Sequence, residues 1–276
     1  RLKDALNLSA SATGDHDQLD ESLETASRLI DDWLGYHLYA RIGTKYFDAL
    51  DTQRLRLPRD PFTAITALRT DAGGDGTYET TWSTASYRLT PYNATIESPP
   101  EPFTGILVRQ DSTVVFPAEV DRGVEIAGTW GRYDVRRTST AVLSTSVDAT
   151  GTRIEVTGST SLHPGQTIRL DDEILFVERN GFSGSATATT SGSVFVNRAQ
   201  NGSTGATHAS GTAIQIYTYP LADRAVLYQA AEDFKRGMAD PVGGGDAFGE
   251  VRAGPGGDLI PSVRRILRRF RTPVVG

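Results

Sequence analysis

Thr167-Ile168-Arg169-Leu170-Asp171-Asp172-Glu173-Ile174-Leu175-Phe176-Val177 decides how the middle of this chain is read. Apolar and polar residues alternate on both sides of Asp171-Asp172, which is the period of a half-buried strand. The acidic pair between them supplies turn chemistry. Ile154-Glu155-Val156, Ser193-Val194-Phe195-Val196 and Ala213-Ile214-Gln215-Ile216-Tyr217 repeat the pattern, giving five short strands. Further turns are expected at 181–184 and at Asn201-Gly202, the latter as hairpin chemistry. Residues 138–217, rich in Thr, Ser and Gly, therefore read as a compact all-β domain, a small barrel or sandwich. It has the look of an insertion, because Arg136-Arg137 closes the segment before it and Tyr219-Pro220 restarts helical patterning after it.

Outward from this module the periodicity is helical. Leu19, Leu23, Ala26, Ile30 and Leu34 form one apolar stripe over about 17–39, with Asp15 or Asp17 placed to cap its start and Gly35 near its end. Leu2, Ala5, Leu6 and Leu8 predict a short turn that packs back on that stripe. A second helix is expected over 220–238, with Pro220 preset for its first turn and Leu221, Ala225, Leu227 or Tyr228, Ala231 and Phe234 buried. Between the first helix and the β module, 44–130 carries strand signals: Lys45-Tyr46-Phe47, Leu55-Arg56-Leu57, Tyr87-Arg88-Leu89, Gly105-Ile106-Leu107-Val108 and Val124-Glu125-Ile126-Ala127-Gly128-Thr129-Trp130. Breakers at Pro58-Arg59-Asp60-Pro61, Gly73-Gly74-Asp75-Gly76 and 99–102 separate them.

The fold class expected is thus α+β. A helical core with a small antiparallel sheet lying on the first helix occupies 1–137 and 218–239, and the β domain 138–217 lies between. Residues 240–276 follow as a Gly-rich linker and an extended, basic C-terminal arm. In that arm Ile260, Val263, Ile266 or Leu267 and Phe270 fall at helical spacing against Arg264, Arg265, Arg268 and Arg269. From 259 to 276 there are five arginines and no acid, although the whole chain of 276 residues has a net charge of -6. A basic, one-sided arm on an acidic body is expected to dock on something acidic, protein or nucleic acid, the alternative being a disordered terminus.

Composition narrows the chemistry. With no cysteine, disulfides, thiolate metal sites and a thiol nucleophile are excluded. No apolar run approaches the ~20 residues of a membrane span, and the polar residues that follow Arg1 hold no export signal, so intracellular synthesis is expected. His16, His37, His163 and His208 lack metal-ligand spacing and read as surface histidines. Asp171-Asp172-Glu173 lacks the spacing of a calcium loop, and Gly73-Gly74-Asp75-Gly76 lacks the Gly-Lys-Ser/Thr of a phosphate loop and reads as a loop tip. Asn93-Ala94-Thr95 and Asn201-Gly202-Ser203 match a glycosylation acceptor only formally. No catalytic residue, cofactor or metal is expected.

The order of these pieces resembles the head-to-tail adaptor (connector) proteins of tailed bacteriophages. The resemblance rests on Ala26-Ser27-Arg28-Leu29-Ile30-Asp31 with a nearby Tyr, on Leu55-Arg56-Leu57-Pro58-Arg59-Asp60-Pro61 followed by Ile65, and on Tyr87-Arg88-Leu89. Gly123 through Gly131 and the closing helix complete it. The β module resembles a small domain of phage neck proteins through Leu162-His163-Pro164-Gly165-Gln166-Thr167-Ile168, Asp172-Glu173, 196–204 and 206–212. The shortest adaptors lack this insert. The resemblance implies a non-enzymatic virion protein at the head–tail interface, made in the host bacterial cytoplasm. It also implies a homo-oligomeric ring, commonly of twelve copies, below the portal protein. The next partner would be a head-closure (stopper) or tail-terminator protein, with a capsid contact open to the β insert, DNA passing through the lumen without specific binding, and no membrane. By resemblance the portal-binding arm is Ile260, Val263, Arg264, Arg265, Leu267, Arg268, Arg269 and Phe270. A second reading stays open, in which the β module binds a carbohydrate or capsid surface; exposed aromatics on one face would support it, but Phe176, Phe182, Phe195 and Tyr217 fall mostly at inward-looking positions.

Overall fold

The structure, a computed structural model, describes residues 16–57, 59–96, 100–132, 135–158, 162–183, 192–239 and 259–270, with Leu2 and Leu6. The expected linker at 240–258, the end of the arm at 271–276, Asp15, Ala5, Leu8, Pro58, Pro99 and Gly184 lie outside the described residues. The chain combines helices with antiparallel sheets, and its contacts divide it into two units, one of 1–38 with 219–276 and one of 39–218.

The first unit is helical. The helices are α1 (His16–Leu34), α2 (Pro220–Ala239) and α3 (Pro261–Leu267), and a 3-10 turn (Arg268–Phe270) continues α3. Leu19, Ala26 and Ile30 of α1 are buried, and Leu2 packs with Leu19, Ala26, Ala230 and Phe234. Gly35 ends α1 at φ +76°, and its N–H bonds back to the Asp31 carbonyl at 2.9 Å, the left-handed C-cap that glycine adopts without a Cβ penalty. On α2 the buried face is Ala222, Ala225, Gln229, Ala230 and Phe234. It is turned slightly from the expected stripe: Ala225 and Phe234 are buried and Leu221, Leu227 and Ala231 half-buried as expected, but Tyr228 is exposed and Ala222, Gln229 and Ala230 take inward positions.

The second unit is β. Its strands are β1 (Arg41–Phe47), β2 (Arg54–Arg56), β3 (Phe62–Thr70), β4 (Thr80–Thr81), β5 (Tyr87–Thr90), β6 (Gly105–Val108) and β7 (Val124–Trp130), followed by β8 (Val135–Leu143), β9 (Arg153–Thr157), β10 (Thr167–Leu170), β11 (Glu173–Ser183), β12 (Gly192–Asn197) and β13 (Ala213–Thr218). They make a four-stranded sheet in the order β1-β7-β3-β4, a three-stranded sheet β2-β6-β5, and a closed six-stranded barrel β10-β11-β12-β9-β8-β13. Among the described residues, the core of the two small sheets draws only on 47–130. Phe62, Leu68, Ile106, Phe116 and Ile126 are its buried centre, and Trp82 stacks on Phe116 at 4.7 Å.

The barrel needs one strand more than expected. β8 starts at Val135, across the Arg136-Arg137 boundary, and pairs with β13 from Thr218 inward. Alternate residues Ile154, Val156, Ile168, Leu170, Leu175, Val177, Val194, Val196, Ile214 and Ile216 fill the interior. Closure leaves no unpaired strand edge in this sheet. Asp171-Asp172 is the turn between β10 and β11, since Leu170 pairs with Glu173. Asn201-Gly202 is not a two-residue hairpin. It sits in a 3-10 turn (Gln200–Gly202), with Asn201 at φ 52° and Gly202 at φ 80°, inside the longer connection from β12 to β13. Gly181 does not turn the chain either, because β11 runs through to Ser183.

Candidate functional site

The expected arm residues lie together at the N-cap of α3 (Ile260), on α3 and on the turn after it. Leu259, Val263, Leu267 and Phe270 face inward and form one core with Ile30, Leu38, Ala222 and Ala225. Ile260 and Ile266 pack against it at half-burial. The extended arm with an open apolar face is therefore corrected to a docked segment. The physical reason is its length: a seven-residue helix falls well short of the ~12–15 residues at which isolated helices become marginal in water. Burying Val263, Leu267 and Phe270 gives it the packing that propensity cannot.

Polar contacts hold both ends. The Ile260 N–H donates to Gln229 Oε1 at 3.0 Å, while Gln229 Nε2 donates to Asp233 Oδ1 at 3.1 Å. Gln229 is 1% exposed, so its amide is committed to this contact. At the far end Tyr36 Oη donates to the Phe270 carbonyl at 2.5 Å. Arg265, Arg268 and Arg269 remain exposed on the opposite face, and Arg264 is half-buried. The Arg269 guanidinium lies 5.7 Å from the Phe270 ring. An amphipathic segment read at both termini by side chains, with basic groups outward, is the geometry of a helix-in-groove contact.

The barrel holds an ionic cluster that sequence reasoning missed. Glu173, read as part of an acidic turn, points inward and accepts from Arg198 Nε at 2.7 Å, Arg198 Nη2 at 2.6 Å, the N–H groups of Ala199 and Ala206 at 3.0 Å each, and His208 Nε2 at 2.9 Å. Burial by itself would raise its pKa, but these bonds outweigh burial and hold it at about 2. His208 is 1% exposed, not a surface histidine, and its Nδ1 lies 2.8 Å from Asp171 Oδ2. Arg198 further donates to the carbonyls of Asp148, Gly151 and Ala206. The cluster is saturated with internal bonds and ties three loops to the barrel mouth. His37 is 3.0 Å from Asp31 Oδ2, and His163 is exposed.

At the tip of the first sheet Asp71, Asp75 and Glu79 bring carboxylate oxygens within 4.8 Å of one another. Both Asp71 oxygens are taken by backbone N–H groups, Gly74 and Gly76 at 2.7 Å each. Asp71 thus works as a loop staple. Of the aromatics that would serve a surface-binding barrel, Phe176 and Phe195 are half-buried, Tyr217 is buried, and the Phe182 side chain lies outside the described residues. No protein-family model, curated protein or solved structure matches this chain.

Proposed function

We propose that this chain is a structural head-to-tail adaptor of a tailed phage. Copies form a ring, commonly of twelve, below the portal, extend the DNA channel and receive a head-closure or tail-terminator protein. In this reading residues 1–137 with 218–239 are the adaptor core, the barrel region 138–217 is an insert, and 240–276 is the arm. Support comes from the order of motifs between Ala26 and Met238. The observation that carries the reading is the C-terminal segment, whose apolar side is spent on the helical unit while Arg265, Arg268 and Arg269 stand exposed. A basic face fixed on a folded body is suited to an acidic patch on a partner protein, here the portal.

Deleting the arm would be a poor test, since it would uncover Ile30, Leu38 and Ala225. Charge reversal at the exposed positions avoids this. The double variant Arg265→Glu, Arg268→Glu is expected to keep the melting temperature of the parent and to bind portal rings roughly tenfold or more weakly, with a shallower salt dependence. Undiminished binding would remove the arm from the contact. A strict monomer that joins no larger particle, alone or with portal rings, would overturn the adaptor reading itself.

A further inference from the structure

We infer that assembled copies of this chain exchange their C-terminal segments, residues 259–270 of one copy seating on the α1–α2 pair of its neighbour. The inference rests on the ring reading and deepens it by naming the bond between neighbours.

The receptor is built for a detachable segment. Ala222 and Ala225 leave room on α2, Ile30 and Leu38 supply the apolar floor, Gln229 reads the backbone at the entry and Tyr36 reads it at the exit. None of these contacts depends on which chain supplies the segment. Too short to hold a helix in water, α3 takes its order from the groove it occupies.

The connection is far longer than a return to the same chain requires. Ile260 meets Gln229, ten positions before the end of α2 at Ala239. That distance is about 15 Å along a helix, and about five extended residues cover it. The sequence places 19 residues between Ala239 and Leu259, seven of them glycine. Nineteen residues reach, fully extended, as far as roughly 65 Å. A neighbouring groove lies well within that reach.

Because every contact survives the exchange, only effective concentration chooses between the two seatings. In a lone chain the segment's own groove is the one within reach, so it docks at home. In a ring, neighbouring grooves are held at protein spacing, and a tether of this length makes their local concentration comparable, in the millimolar range. Exchange is thus coupled to assembly and closes the ring through a heterologous contact.

The absence of cysteine allows a direct test with the full chain. Glu232→Cys lies one turn along α2 from Gln229, and Ser262→Cys is an exposed position two residues past Ile260. The two single variants carry different tags, are co-expressed, assembled with portal rings, and bridged with a short bismaleimide. Doubly tagged product is expected in the assembled fraction at roughly tenfold or more over the monomer fraction. The double variant is expected to give a multimer ladder from rings and an internal bridge from monomers. Rings in which the double variant bridges only within one chain would overturn the exchange and leave the ring standing. Failure to assemble at all would overturn both.

Discussion

Glu173 is the residue on which the barrel mouth depends, because its carboxylate receives Arg198, His208 and two backbone N–H groups at once. Its folded-state pKa of about 2 lies below the ordinary 4.5, so as pH falls the unfolded chain takes up this proton first. The stabilisation is complete above about pH 4.5 and is lost as pH falls toward 2; by linkage it amounts to on the order of 3 kcal/mol. Glu173→Gln should lower stability at neutral pH by about that amount and flatten the acid limb of the curve, as read by urea unfolding between neutrality and the acid range. An unchanged acid limb would assign the acid sensitivity elsewhere. Gly202 makes a second prediction at this scale. It has φ +80°, and a Cβ there would overlap the Ile42 carbonyl of β1, so the barrel's 12–13 connection and the first sheet touch through a bare Cα. Gly202→Ala should lower the melting temperature through a cost of at least about 1–2 kcal/mol. Neither role was legible in the sequence. Glu173 and His208 are 35 positions apart, and only barrel closure brings them together. The one local signal, Asp171-Asp172-Glu173, correctly gave the turn and misled about its third member.

Among the elements, those with a clean period were legible and those whose period is broken by geometry were not. The stripe Leu19, Ala26, Ile30 marked α1, and simple alternation marked β7, β10 and β13. The nine-residue β3 escaped, even though it pairs with both β7 and β4. Its pairing with β7 slips between Phe62 and Ala64 and again between Ile65 and Ala67, and each bulge shifts the inward face by one residue. Phe62-Thr63-Ala64-Ile65-Thr66-Ala67-Leu68 therefore shows no two-residue period to find. β8 was hidden for another reason, since its Arg136-Arg137 start reads as a boundary. The C-terminal segment was legible as an amphipathic helix, but not its seat, for Gln229 inside an apolar face carries no sequence mark of the N–H it serves. Leu267→Ala tests that seat. Leu267 is 0% exposed, and its truncation should weaken docking by about 2–5 kcal/mol. Trypsin should then cut at Arg264, Arg265, Arg268 or Arg269 well before the barrel is attacked, whereas the parent should resist there. Equal cleavage in both would mean that the segment is not held by this core.

At the scale of the whole molecule the question is which parts can stand alone. The order of motifs along the chain groups the sheet of 44–130 with the helices, but contacts group it with the barrel in 39–218. The link is visible only in three dimensions, at the Gly202–Ile42 approach, where the barrel connection also covers β1, an edge strand of its sheet. Both cores of this unit, Ala49 to Trp130 in the sheets and Ala141 to Ile216 in the barrel, are closed by residues from within it. A fragment of 39–218 should therefore fold cooperatively by itself, with dispersed amide signals and a sharp thermal transition. The helical unit holds both the C-terminal segment and the groove that receives it, so this fragment should stay monomeric at concentrations where the full chain assembles. Sedimentation of the two side by side separates the possibilities. A fragment that assembles as the full chain does would move the ring contacts out of the helices and into the β unit. One that cannot fold would mean that the β unit depends on the helices for its stability, and that its cores are not sufficient as they stand.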